Sequence, residues 1–115
     1  MELPVVLNRK VMDNSASMQL EIRPDLKWFA GHFPGHPILP GVVQIAWAVH
    51  FSWQSFAYGP DVCSLEQIKF KRPIGPGRHI TLLLVRHSAD NAVNFEYCDE
   101  QTSFASGMLK FSIPI

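Results

Sequence analysis

The sequence predicts an α+β layer in which an antiparallel sheet covers one long helix. Three observations carry that reading. Residues 41–58 contain no Asp, Glu, Lys or Arg, and their apolar side chains fall on every side of a helical wheel. The flanking segments alternate apolar and polar residues with the two-residue period of strands. Proline and glycine cluster at the joints, in Gly31–Gly41 and in Pro73-Ile74-Gly75-Pro76-Gly77.

Taken in order, residues 4–12 and 17–23 read as short extended segments joined by a turn at Asp13-Asn14-Ser15. In the second, Met18, Leu20 and Ile22 alternate with Gln19, Glu21 and Arg23, the pattern of a half-buried strand. A stiff loop follows. Pro34, Pro37 and Pro40 lock three φ angles, and Gly31, Gly35 and Gly41 permit turns that other residues resist. Rigid loops leading into a helix are where proteins hold reactive groups. Pro40 suits a helix start, and Gly59-Pro60 stops the helix. Such a helix is a buried core element, since Gln44, His50, Ser52, Gln54 and Ser55 interrupt any membrane span. Strands are expected over 64–71, 79–87, 92–98 and 103–113. The 79–87 segment is apolar on both faces and reads as central. Trp28, Trp47, Trp53 and the phenylalanines are expected in the core or a tunnel wall, and His50 as a hydrogen-bonded core residue.

Composition bounds the function. A chain of 115 residues with 47% hydrophobic content forms one packed domain rather than a disordered segment. Basic and acidic residues number 10 each, so the net charge is zero and nucleic acid is disfavoured as a general partner. Cys63 and Cys98 stand far apart without a C-x-x-C pattern and read as two reduced, buried thiols. The first residues have no basic stretch followed by an apolar run, so a cytoplasmic protein is expected. His32 and His36 are four apart, but the intervening prolines forbid the helix that would pair them on a metal, and no metal is expected.

The segment His32-Phe33-Pro34-Gly35-His36-Pro37-Ile38-Leu39-Pro40-Gly41, followed by a helix, resembles the signature of the hot-dog fold dehydratases that act on 3-hydroxyacyl chains carried on acyl carrier protein, the FabZ and FabA type. A second family segment is similar to Ile68-Lys69-Phe70-Lys71-Arg72-Pro73-Ile74-Gly75-Pro76-Gly77. A third is similar to Ala105-Ser106-Gly107-Met108-Leu109-Lys110-Phe111. The resemblance runs over roughly residues 17–113. Leu39-Pro40-Gly41-Val42-Val43-Gln44 also resembles a divergent branch associated with aryl-polyene lipid biosynthesis. The resemblance implies a sheet wrapped around a central helix, a homodimer or heterodimer with the active site at its interface, and acyl carrier protein as partner. No cofactor is implied, because the phosphopantetheine arm arrives with the substrate. One position departs from the family. Fourteen residues after the motif histidine the family places Glu or Asp in the helix, and this chain has Ala46.

Dehydration of a 3-hydroxyacyl thioester needs a base for the proton beside the carbonyl, a donor for the charge that builds on the thioester oxygen, and an acid for the departing hydroxide. His32 is the candidate base, since imidazole titrates near operating pH. The backbone N–H of Gly41 or Val42 at the helix start is the candidate oxyanion donor. Phe33, Pro40, Val42 and Gln44 would contact substrate, and an apolar tunnel beside the helix would hold the acyl chain. Lys69, Lys71 and Arg72, with Arg78 and Arg86 nearby in sequence, would receive the acidic carrier, offset by Glu96, Asp99 and Glu100 elsewhere. The missing acid has three repairs. His32 serves both steps; a nearby side chain, Gln44, His36 or His50, stands in, Gln44 only by orienting a water or the hydroxyl because an amide is no general acid; or a paralogous subunit brings the carboxylate. Two other functions fit the same fold: an acyl thioesterase, and a non-catalytic half of a heterodimer.

Overall fold

The computed structural model describes residues 1–30, 35–58 and 61–112. Among the described residues, six strands and one α-helix follow the order β1 (Val5–Val11), β2 (Ser15–Glu21), α1 (Gly41–Phe56), β3 (Val62–Phe70), β4 (His79–His87), β5 (Ala92–Cys98) and β6 (Ser103–Phe111). The strands form a single antiparallel sheet in the order β1-β2-β4-β5-β6-β3. The helix crosses over between β2 and β3, which places β3 at the far edge of the sheet, beyond β6.

The alternation in the sequence sets which sheet face is buried. Met18 and Leu20 of β2, Ile80, Leu82 and Leu84 of β4, and Val93, Phe95 and Tyr97 of β5 all point into one core. Strand β4 lies inside the sheet as expected, but only one of its faces is covered. Leu83 and Val85 are exposed, so its apolar run on both faces does not mark two-sided burial. Helix α1 supplies the opposite wall with Val43, Trp47, Ala48, Phe51 and Phe56. The N-terminal segment ties the two layers together. The Glu2 carbonyl accepts from both Trp28 Nε1 and Trp47 Nε1, each at 2.9 Å.

The helix is not buried on every side. Val42, Ile45, Ala46, Val49, His50 and Trp53 recur at three- and four-residue intervals and form a less buried stripe, in which Ile45 and Val49 still pack against the core. Val42 is 74% exposed and Trp53 50%. Hydropathy alone does not separate the two faces, because both are apolar. Trp53 therefore departs from the expected core or tunnel-wall set. His50 departs too, being half-buried with Nε2 enclosed and lacking a hydrogen-bond partner among the described residues. The helix ends at Phe56, where Ala57 adopts a left-handed conformation at φ 60° and its N–H returns to the Trp53 carbonyl. Gly59 and Pro60 lie outside the described residues. Cys63 is exposed and Cys98 half-buried, so neither is the fully buried thiol expected. No helix among the described residues is long and apolar enough to cross a membrane.

Candidate active site

The two glycine- and proline-rich segments meet in space. The Leu39 N–H donates to the Ile74 carbonyl at 2.8 Å, pinning the loop before α1 against the loop after β3. Gly35 stands at φ +82°, a conformation that favours glycine. Between the joined segments lies an open cavity of about 530 Å³, walled by Ile38, Leu39, Pro40, Gly41, Val42 and Gln44 on one side and by Phe70 to Pro73 on the other. A second hollow, lined by Gly35, His36, Pro37 and Arg78 among others, shares Ile38 and Pro73 with the first.

Helix α1 begins at this cavity without a side-chain cap, with Pro40 in the capping position. The Val43 and Gln44 N–H groups turn back to the Pro40 carbonyl at 3.1 and 3.2 Å. Those of Gly41 and Val42 have no acceptor among the described residues. Two free donors at the positive end of a helix dipole suit a carbonyl oxygen gaining negative charge. The Phe70 ring presses on Gly41 so closely that a Cβ there would lie 2.6 Å from Phe70 Cζ. Any side chain at 41 would have to displace the ring.

Gln44 forms part of the buried wall. Its Nε2 donates to the Leu39 carbonyl at 3.1 Å, and its own carbonyl accepts the Tyr97 hydroxyl at 2.6 Å. Its Oε1 is buried with no partner among the described residues. Leaving such an acceptor unmet costs about 1–3 kcal/mol. Burial pushes the Tyr97 phenol well above its ordinary pKa, so it stays a donor. Burial, then Glu96 and Asp99, raise the Cys98 thiol pKa and keep it protonated.

The basic residues separate into different surroundings. Lys71 and Arg72 reach the cavity rim, whereas Lys69 is not among its walls. A register shift between Glu66 and Lys69, with Gln67 at φ 53°, turns Ile68 and Phe70 toward the helix side and leaves Lys69 on the other. Lys71 Nζ donates to Ser103 Oγ at 3.0 Å, and that hydroxyl donates to Glu96 at 2.6 Å. Arg78 stands 3.8 Å from Asp99 and its guanidinium covers Phe104. Arg86 is elsewhere, bonded to Asn14 and lying over Phe56. The expected acidic counterweight is therefore interleaved with the basic residues rather than set apart from them.

Of the residues singled out in the sequence, Pro40, Gly41, Val42, Gln44, Lys71 and Arg72 converge on one cavity. His32 and Phe33 lie outside the described residues. His36 is exposed on the adjoining hollow. Ala46 and His50 lie on the outward stripe of α1. Sequence reasoning gave Phe70 no more than a place in the core or a tunnel wall, and Tyr97 no role. Phe70 was visible inside the second motif, and Tyr97 as the one hydroxyl on the inward face of its strand.

Compared with known families, residues 8–108 match the model of ApeI-like proteins, described as ApeI dehydratase. The chain belongs to the ApeI-like dehydratase family. Its hot-dog fold follows from the solved relatives of this ApeI-like chain. A chain of the dehydratase heterocomplex ApeI:P from Xenorhabdus doucetiae is 33% identical, with a TM-score of 0.90 over 97% of this chain and 100% of that one. A crystal structure of a protein from Erwinia carotovora subsp. atroseptica is 36% identical, with a TM-score of 0.84 over 99% and 98% of the two chains. The 3-hydroxyacyl-acyl-carrier-protein dehydratase FabZ of Polaromonas naphthalenivorans is 27% identical over 69% of this chain and 64% of its own length. The ApeI-like chain thus spans less than two thirds of the curated relatives it matches.

Proposed function

We propose that this chain is the His32-bearing subunit of a dehydratase that converts a 3-hydroxyacyl thioester on acyl carrier protein to the trans-2-enoyl thioester, in fatty-acid or aryl-polyene-type lipid synthesis. The observation that carries the reading is the cavity at the uncapped start of α1, where the Gly41 and Val42 N–H groups have no acceptor among the described residues, in a member of a dehydratase family. His32 takes the proton from C2. The electron pair moves toward the thioester oxygen, held by the helix N–H groups, and returns to form the C2–C3 double bond as the C3–O bond breaks. Hydroxide leaves as water once it receives a proton. The phosphopantetheine arm comes with the substrate, and exposed Lys71 and Arg72 meet the acidic carrier at the rim.

Ala46 cannot deliver the last proton. It sits in the middle of the uncovered apolar stripe of α1, the kind of surface a second subunit covers. The relative from Xenorhabdus doucetiae is a heterocomplex, which supports a paralogous hot-dog subunit as the source of the carboxylate. The test is enoyl absorbance on 3-hydroxyacyl-carrier thioesters, with the chain alone and with a carboxylate-bearing paralogue, His32→Ala run beside each. Turnover lost on His32→Ala is the expected result. Turnover that survives the substitution, or release of free thiol in place of enoyl product, would sink the reading.

A further inference from the structure

Among the described residues that line the cavity, Gln44 alone has a buried side-chain polar atom, Oε1, without a hydrogen-bond partner. Gln44 is only 4% exposed. The bond from Nε2 to the Leu39 carbonyl fixes which way the amide faces, and the bond from Tyr97 to the Gln44 carbonyl fixes the main chain beneath it. The amide head is therefore held in the first turn of α1, where the Gly41 and Val42 N–H groups have no acceptor among the described residues. An unmet acceptor on a residue that lines a ligand-sized cavity suits a ligand that brings a donor once the amide turns to it.

The candidate substrate carries few donors. Its thioester oxygen only accepts, and belongs with the helix N–H groups. Its acyl chain beyond C3 holds no polar hydrogen. Two donors remain near the reacting carbons: the 3-hydroxyl on the acyl side, and the first pantetheine amide on the thiol side. The burial gradient decides between them. Lys71 and Arg72 are exposed on the cavity wall, which suits the entry of a carrier-borne arm, whereas Gln44 is buried, which suits the acyl side. We infer that Gln44 Oε1 accepts the hydrogen bond of the substrate's 3-hydroxyl, making Gln44 a specificity-determining residue for hydroxyacyl over saturated acyl chains. This rests on the dehydratase reading above. A neutral amide oxygen cannot protonate the leaving group, so the role is to orient the C3–O bond and recognise its hydrogen. The enoyl product has lost that hydroxyl and with it the bond.

The experiment is a calorimetric titration in a His32→Ala background, which prevents turnover, with three pantetheine thioesters of equal length: 3-hydroxyacyl, 3-methoxyacyl and saturated acyl. The hydroxyacyl ligand is expected to bind about fivefold tighter than the other two, the worth of one neutral hydrogen bond. Adding Gln44→Met should bring all three to the level of the saturated ligand. Equal binding of hydroxyacyl and methoxyacyl ligands to the Gln44 protein overturns the inference without any Gln44 variant, should Gln44→Met fail to fold. A Gln44→Met loss shared equally by all three ligands overturns it too, pointing to the pantetheine amide or to folding. If none of the three binds, the dehydratase reading falls with it.

Discussion

The Tyr97 hydroxyl donates to the main-chain carbonyl of Gln44 at 2.6 Å, a bond from the interior of the sheet to the first turn of the helix. Tyr97 is fully buried between β4 and β6, paired with Leu82 on one side and Ala105 on the other. The contact therefore fixes where the helix start, and with it the cavity, stands relative to the sheet.

Tyr97→Phe keeps the ring and removes the hydroxyl. It should destabilise the protein by about 1 kcal/mol, the net worth of a buried neutral hydrogen bond, and lower Tm by about 4 °C. Thermal denaturation followed by circular dichroism measures this. An unchanged Tm would show that the bond contributes nothing net.

Gly41 and Phe70 form a second testable pair. In Gly41→Ala the new methyl group meets the Phe70 ring, which must swing outward from its edge strand. The expected penalty is about 1–2 kcal/mol, at the lower end of overpacking because a half-exposed ring can yield. Phe70→Ala should remove most of that penalty when the two are combined. A penalty of the same size in both backgrounds would place the clash elsewhere.

The outward stripe of α1 predicts an assembly defect. Trp53→Glu puts a charge at the exposed end of that stripe, and should shift the protein to monomer in light scattering while leaving its Tm within a few degrees. Ala46→Glu tests the same stripe for chemistry. It should raise dehydration by the chain alone at least tenfold, since it restores a carboxyl group where the family carries one. No gain in rate would mean that the acid is supplied from another position.

His50 gives a pH dependence with a definite sign. Burial, then Arg9 and the N-terminal amino group, lower its pKa below the ordinary 6.5. The folded state thus binds this proton less readily than the unfolded chain does. The stability tied to neutral His50 is fully present above about pH 6.5 and is lost as pH falls through the lowered folded value. Tm should drop more steeply on acidification in the wild type than in His50→Gln. A steeper drop in the variant would reverse the assignment.

The sequence by itself determined the element order, the buried face of the sheet and the family. Local rules decide each of these. A two-residue period assigns Met18, Leu20 and Ile22 to one face whatever lies above it, and Pro40 with an uncharged run specifies a helix start without reference to other segments. It also singled out Gly41 and Gln44, because the motif is continuous in the chain. Only the tertiary structure decided that Leu39 is bonded to Ile74, that Phe70 lies on Gly41, that Tyr97 holds Gln44, and that Lys69 is turned away while Lys71 reaches the rim. It also decided which side of an all-apolar helix is left for a partner. Those relationships join residues far apart in sequence, and they depend on strand order, a bulge at Gln67 and a loop-to-loop hydrogen bond that no local pattern encodes.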